Sequence, residues 1–303
     1  MNPSDTDAMN FVQKAMPNRR PSIANIIPKE SPLTIIDVGA SLVGEQAPLY
    51  QGLIDAGYAR LIAFEPDEPS LAAIKQKYPA PHLCLPLFIG NGRTATFYET
   101  KWGPTGSLFE PNKALLEKFH GLADITTVVR TYPVKTTRLD DIAEIVDADF
   151  IKIDAQGSER MIFENAENLL KQVTLIQTEV SWVEFYKGMP LFSDIDQVLR
   201  KMGFQWHTRL GCGYRSFLPF LNPDHPHAAF QQELWSDAVY VRDWMHFDRL
   251  SSDKLVKLGV LLHDLFESYD LAHLAFVAAD EKSGTNYATN YAKWLSTESP
   301  DTP

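Results

Sequence analysis

From Leu33 onward, short apolar runs alternate with stretches in which apolar residues recur every three or four positions. Short runs rich in β-branched side chains predict strands, and the wider spacing predicts helices. Strands are predicted at Thr34 to Val38, Arg60 to Phe64 and His82 to Ile89. Helices fall between them, near Gln46 to Ala56 and from Asp67 to Tyr78, with Asp67 or Ser70 available as caps. Such a βαβαβ opening argues for a parallel sheet covered by helices on both faces. Residues 90–131 are less regular, with a strand expected through Thr94 to Thr100 and a short helix from Asn112 to Phe119. Alternation resumes with an extended Thr131 to Thr137, a short amphipathic helix over Leu139 to Val146, a strand at Phe150 to Asp154 and a helix from Glu159 to Lys171. A strand at Thr174 to Val180, a helix from Ser193 to Met202 stopped by Gly203, and closing strands at Phe204 to Arg209 and Ala238 to Arg242 bring the core to about seven strands.

Residues 1–32 carry Pro3, Pro17, Pro21, Pro28 and Pro32 with little periodicity. They read as an N-terminal extension packed on or trailing from the core, with a helical piece at Ala8 to Ala15. After Trp244 the pattern becomes helical: Leu255, Leu258, Leu261, Leu262, Leu265, Phe266 and Tyr269 recur at helical spacing, and Leu271 to Ala279 forms a second apolar stretch. These helices are more apolar than a solvent-facing stripe needs, so they are expected to pack on the core sheet or, in a homodimer, on a second subunit. The last twenty or so residues lose periodicity and read as a frayed tail. The expected organisation is a core domain over 33–244, an N-terminal extension over 1–32, and a helical C-terminal extension and tail over 245–303. The fold class is α/β, with a seven-stranded, mostly parallel, doubly wound sheet.

Composition narrows the partners. The 303 residues are 45% apolar and 22% charged, ordinary for a globular chain, and carry a net charge of −11. A chain this acidic has no general attraction for phosphate backbones or anionic lipid, and its basic pairs, Arg19-Arg20 and Arg200-Lys201, are isolated. Neither nucleic acid nor a membrane is expected as a partner. Only Cys84 and Cys212 are present, which excludes a disulfide framework or a cysteine-rich zinc module, and both read as unreactive thiols. The polar, acidic N-terminus is unlike a secretory signal, so a cytoplasmic location is expected.

Three segments carry candidate chemistry. In the first, a strand runs into the glycine-bearing turn Gly39-Ala-Ser-Leu-Val-Gly44, where a ligand can approach backbone N–H groups closely. Its spacing is not the Gly-x-Gly-x-x-Gly of dinucleotide binders. Asp37, just before Gly39, would repel a pyrophosphate and suits a cofactor bearing positive charge, such as the amino group of S-adenosylmethionine. The second is Phe64-Glu-Pro66 at the end of the next strand, where Glu65 can accept hydrogen bonds from both hydroxyls of a ribose. The third is Asp149 to Glu159, which delivers Asp154 to the carboxyl edge of the sheet, where open α/β folds bind ligands.

With these residues in place the chain resembles the FkbM-type S-adenosylmethionine-dependent methyltransferases. The resemblance is carried by Ile36-Asp-Val-Gly-Ala40, Phe64-Glu-Pro66, Arg138-Leu-Asp-Asp141, Phe150-Ile-Lys-Ile-Asp154 with Gln156-Gly-x-Glu159, and Gly188-Met-Pro190, in the family's order over roughly Leu33 to Trp244. It implies the class I methyltransferase fold, whose last strand inserts antiparallel, and O-methylation of hydroxyls on sugars or secondary metabolites. The cofactor contacts expected are Asp37, Gly39, Ala40, Ser41, Glu65, Pro66, Ser107 and Asp154. Two positions depart from the family pattern: Ser41 stands where asparagine is usual, and Gln156 where an acid is usual.

Transfer to a hydroxyl needs an aligned displacement and a base for a poorly acidic proton. Asp154, Glu179 and His207 are the candidate bases. Glu179 ends the strand beside that of Asp154, so the two carboxylates can share a proton or hold a cation. A divalent metal there is the alternative and is not favoured. Gly106 and Ser107 are expected over the site, and Trp182, Phe185 and Tyr186 are candidates for an aromatic wall or for core. His225-Pro-His227 reads as a loop rather than a metal pair, and His263-Asp264 as a helix pair without matched ligands. Two other classes stay open: a nicotinamide-dependent oxidoreductase, against which Asp37 argues, and a non-catalytic α/β scaffold whose C-terminal helices recruit a partner.

Overall fold

The computed structural model describes residues 20–24, 27, 32–40, 47–221 and 231–297. The first half alternates β1 (Leu33–Val38), α1 (Gln51–Asp55), β2 (Ala59–Phe64), α2 (Glu68–Lys77) and β3 (Leu83–Leu85). Next come β4 (Phe88–Ile89), β5 (Thr94–Thr100), the short helices α3 (Lys113–Leu116) and α4 (Leu122–Ile125), and β6 (Val128–Thr137). The second half runs β7 (Phe150–Ile153), α5 (Glu159–Glu164), α6 (Glu167–Leu170), β8 (Leu175–Ser181), α7 (Phe192–Lys201), β9 (Phe204–Tyr214) and β10 (Glu233–Arg242). Three helices follow: α8 (Ser252–Phe266), α9 (Tyr269–Ser283) and α10 (Tyr287–Thr297).

Seven strands form the main sheet in the order β3-β2-β1-β7-β8-β10-β9. β10 runs antiparallel to both of its neighbours, and β3, β2, β1, β7 and β8 are mutually parallel. β1 and β2 are nearly continuous apolar runs because both of their faces are covered. Leu33 and Ile35 of β1, Phe150 of β7 and Val239 of β10 join a core cluster that contains Leu255, Leu258 and Leu262 of α8 and Phe276 of α9. Ile36, Val38, Ile151 and Ile176 point the other way, onto Ile162, Phe163 and Leu199 of α5 and α7. The C-terminal helices therefore lie on the core sheet; of their apolar side chains Leu261, Leu262 and Leu265 are buried and Leu274 is exposed.

Several expectations change in detail. The run 82–89 is not one strand: it breaks at Pro86 and Leu87, and β4 leaves the main sheet to join a three-stranded sheet of order β4-β6-β5. Residues 139–146 hold only a 3₁₀ turn at Leu139–Asp141, and 159–171 divides into α5 and α6. Residues 287–297 are a helix rather than a frayed tail, because Tyr287, Ala288, Tyr291 and Leu295 form an apolar stripe packed on the core. Part of the N-terminal extension is docked: Ile23 is fully buried, the Ser22 hydroxyl and the Ile23 amide donate to Asp264, and the Pro21 carbonyl meets His263 Nε2 at 3.0 Å. His263 Nδ1 also pairs with the Tyr291 hydroxyl at 2.8 Å, so the His263-Asp264 pair packs chain ends together. The helix expected at 8–15, and His225 and His227, lie outside the described residues.

Candidate active site

A cleft of about 1140 Å³ opens at the carboxyl ends of β1, β2, β7 and β8. Gly39, directly after β1, has φ +78°, and a Cβ built on it would lie 2.0 Å from the carbonyl oxygen of Asp154. Only backbone fits at this crossing. Glu65, directly after β2, is buried yet lines the cleft, and its Oε1 accepts the Asp67 N–H at 2.8 Å. Burial pushes its pKa up, the Asp67 N–H pulls it partly back, and the Asp67 and Asp37 carboxylates add to the rise. Pro66 lines the same wall.

Asp37 lies beneath this wall rather than in it. Its carboxylate is 2% exposed and accepts the Tyr50 hydroxyl at 2.5 Å and Lys152 Nζ at 3.2 Å. Sheet register sets this up, since Asp37 on β1 is directly opposite Lys152 on β7. Burial works against the Lys152 charge, but Asp37, Asp154 and Asp237 outweigh it and hold the ammonium above the usual lysine range. Burial, then the Asp37 charge and hydrogen bond, pushes the Tyr50 hydroxyl up. Ala40 is buried, with its N–H directed to the Phe64 carbonyl at 3.3 Å. Ser41 lies outside the described residues.

Asp154 and Glu179 both line the cleft, joined by Gln156. Gln156 Nε2 donates to Asp154 Oδ1 at 2.7 Å and to Glu179 Oε2 at 3.1 Å. Burial pushes Glu179 well above the usual carboxylate range; Asp154, Glu159 and Asp237 add to this, and Lys152 opposes it. Glu159 accepts the N–H groups of Ala155 at 2.9 Å and Gly157 at 3.2 Å, tying down the turn after Asp154, and burial pushes it up to about 7. Asp237, opposite Glu179 on β10, accepts Gln177 Nε2 at 2.7 Å and is raised by burial and then by Asp154. Four carboxylates, Asp37, Asp154, Glu179 and Asp237, thus act on the single ammonium of Lys152, and Glu159 adds its charge beside Asp154 and Glu179. That excess favours a cationic guest. Among the described residues no three His, Cys, Asp or Glu side chains are grouped to hold a metal ion.

Phe185, Tyr186 and Trp235 also line the cleft, with Phe185 edge-on to Trp235 at 5.7 Å. Trp182 is not part of this wall and packs on Phe192 at 4.9 Å. Gly106 and Ser107 line the cleft as expected of that segment, but the Ser107 hydroxyl donates to the Gln156 carbonyl at 2.6 Å and accepts the Phe109 N–H at 2.9 Å. His207 is not brought to the cleft. It sits on the edge strand β9, and β10 intervenes between it and Glu179. Its Nε2 pairs with the Ser268 hydroxyl at 2.6 Å, at the start of α9. The antiparallel insertion of β10 is the physical reason that chain order misleads here.

Sequence reasoning left Lys152, Tyr50, Glu159, Asp237 and Trp235 without roles. For Lys152 the signal existed, since it is a charged residue inside the otherwise apolar strand Phe150–Ile153; Asp237 stands in a strand that also holds Glu233, Ser236 and Arg242 and so carried little. Tyr50 carried none, since its partner is set only by how the chain enters α1.

The strand order, with its antiparallel penultimate position, and the glycine turn over the carboxyl edge define a class I methyltransferase fold. The profile of the methyltransferase FkbM domain family matches residues 37–206, more than half of the chain, and the protein belongs to that family. It is an S-adenosylmethionine-dependent methyltransferase. Similar solved structures include the magnesium protoporphyrin IX methyltransferase of Synechocystis PCC 6803 with bound SAM, at 12% identity, 70% coverage of each chain and a TM-score of 0.34. A TehB-like SAM-dependent methyltransferase of Corynebacterium glutamicum ATCC 13032 is similar at 10% identity, covering 73% of this chain and 84% of its own, with a TM-score of 0.34. A protein of the NADB-Rossmann superfamily from Streptococcus agalactiae is similar at 15% identity, covering 88% of this chain and 98% of its own, with a TM-score of 0.31. No curated protein matches the chain in sequence. No helix among the described residues is long and apolar enough to cross a membrane.

Proposed function

We propose that the protein methylates a hydroxyl oxygen of a sugar or secondary-metabolite acceptor. The observation that carries this reading is the carboxylate pair Asp154 and Glu179 on a cleft that Phe185, Tyr186 and Trp235 also line. The residues present fit S-adenosylmethionine. Gly39 offers bare backbone where a Cβ has no room, Glu65 offers a buried carboxylate to the ribose hydroxyls, and the surplus of acids suits a cationic ligand. When bound, the cofactor supplies an activated sulfonium methyl. Asp154 or Glu179 then accepts the hydroxyl proton while the acceptor oxygen forms its bond to the methyl carbon. Transfer of that methyl to the acceptor oxygen would leave the cofactor sulfur as a neutral thioether. Asp154 and Glu179 are the two groups placed to accept that proton, and burial together with the Asp154 charge raises Glu179. The aromatic wall excludes water and can stack on the acceptor ring.

Calorimetry with S-adenosylhomocysteine tests the cofactor end. Glu65→Ala should weaken binding by about 1.5–3 kcal/mol, the loss expected of a charged hydrogen-bond partner. An isotherm unchanged within error would sink the assignment. For the chemical step, Asp154→Asn should lower S-adenosylhomocysteine release over a panel of hydroxylated acceptors at least about 10²-fold with little change in cofactor affinity. Full turnover in that variant would leave Glu179 as the remaining base.

A further inference from the structure

Gln156 has backbone φ +47°, one of two non-glycine residues among those described in the left-handed region. A long side chain gains nothing locally from that conformation, so its surroundings must hold it there. They do so from three sides. The Ser107 hydroxyl donates to its carbonyl at 2.6 Å. The Tyr186 hydroxyl, whose single proton is divided between two acceptors, lies 2.8 Å from Gln156 Oε1 and 2.9 Å from the Thr105 carbonyl. The two Nε2 protons go to Asp154 Oδ1 and Glu179 Oε2. With its Oε1 taken up by a donor, the amide turns its NH₂ toward both acids.

We propose that Gln156 is a positioning residue whose amide clamps Asp154 and Glu179 into one pair, and that the left-handed turn and its Ser107 and Tyr186 anchors exist to present that amide. The proposal rests on the reading of these acids as the proton-accepting pair and adds the device that lets them stand side by side. Two carboxylates brought together without a donor between them cannot both ionise. A shared NH₂ gives each acid one hydrogen bond and relieves part of that repulsion. The groups facing the pair from other elements are Lys152 on β7, Asp37 on β1, Asp237 on β10, Glu159 on α5, and Tyr186. Of these only Lys152 is cationic, and it is engaged with Asp37, so the amide is the donor the pair depends on.

The full chain, without any acceptor, suffices for the test. Gln156→Leu removes the donor, and the near-isosteric Gln156→Glu keeps the acceptor for Tyr186 but puts a third carboxylate between the two acids. In both variants, loss of the shared donor should raise the Glu179 pKa further above its unfolded value than in the wild type. The folded variants then hold protons that the wild type does not, so their deficit is largest at high pH and closes as pH falls. Tm measured from about pH 8 to about pH 5.5 should show both variants below the wild type at the alkaline end, with at least roughly half of the deficit recovered at the acid end. A deficit that stays constant across this range, or no deficit in either variant, would overturn the proposal, since a merely structural glutamine predicts a pH-independent loss. Turnover of Asp154→Asn over hydroxylated acceptors reads the proton-accepting assignment separately, so failure of one does not mimic failure of the other.

Discussion

Lys152→Met isolates the electrostatic arrangement under the cleft. Methionine keeps much of the lysine stem's apolar packing and deletes the ammonium. Asp37, 2% exposed, would retain the Tyr50 hydroxyl at 2.5 Å and lose its ion pair at 3.2 Å. Removing one partner of a buried pair destabilises by about 3–5 kcal/mol. Here the Tyr50 bond survives and the Lys152 side chain is 24% exposed, so a loss of about 2–4 kcal/mol is expected. For a chain of this length that is roughly 3–6 °C in Tm. Urea denaturation and calorimetry near neutral pH would measure it. Asp37→Asn in the same background should recover part of the loss, with a coupling of at least about 1.5 kcal/mol in the double-mutant cycle. The pH dependence has a definite sign. In the wild type the Lys152 pKa is raised, so the pair's contribution is present below the ordinary lysine value of about 10.4 and is lost only as pH rises through the higher folded value. A loss under about 1 kcal/mol, or strictly additive single variants, would refute this account.

Two further perturbations probe the same crossing. Gly39→Ala forces φ +78° on a residue with a Cβ and sets that Cβ 2.0 Å from the Asp154 carbonyl; strain and overpacking together should destabilise by at least about 3 kcal/mol, and a soluble variant with wild-type Tm would contradict the geometry. Glu159 has a folded pKa raised by burial to about 7, so the wild type should lose stability through this group as pH rises from about 4.5 to about 7. Glu159→Gln keeps an oxygen for the Ala155 and Gly157 N–H groups and cannot ionise, so its Tm relative to the wild type should rise across that interval; parallel curves would show that Glu159 does not titrate there.

The sequence by itself determined the parts that rest on local periodicity and on position along the chain. The alternation of apolar runs marked β1, β2, β7 and the helices between them, because parallel strands covered on both faces are apolar at most positions. Gly39, Glu65 and Asp154 were legible for a related reason: each directly follows a strand, and strand ends in an open α/β sheet face the ligand edge. Tertiary structure alone decided what those positions touch. Nothing in the local pattern says that β10 enters between β8 and β9, which removes His207 from the cleft and sets Asp237 opposite Glu179. Nor does it say that Lys152 comes into register with Asp37 and neutralises it internally, since register depends on the packing of whole strands. Gln156 shows the division most sharply. In sequence it is an amide where an acid is usual. Its meeting with Asp154, Glu179, Tyr186 and Ser107 exists only because residues up to 49 positions from it in the chain converge on one left-handed turn.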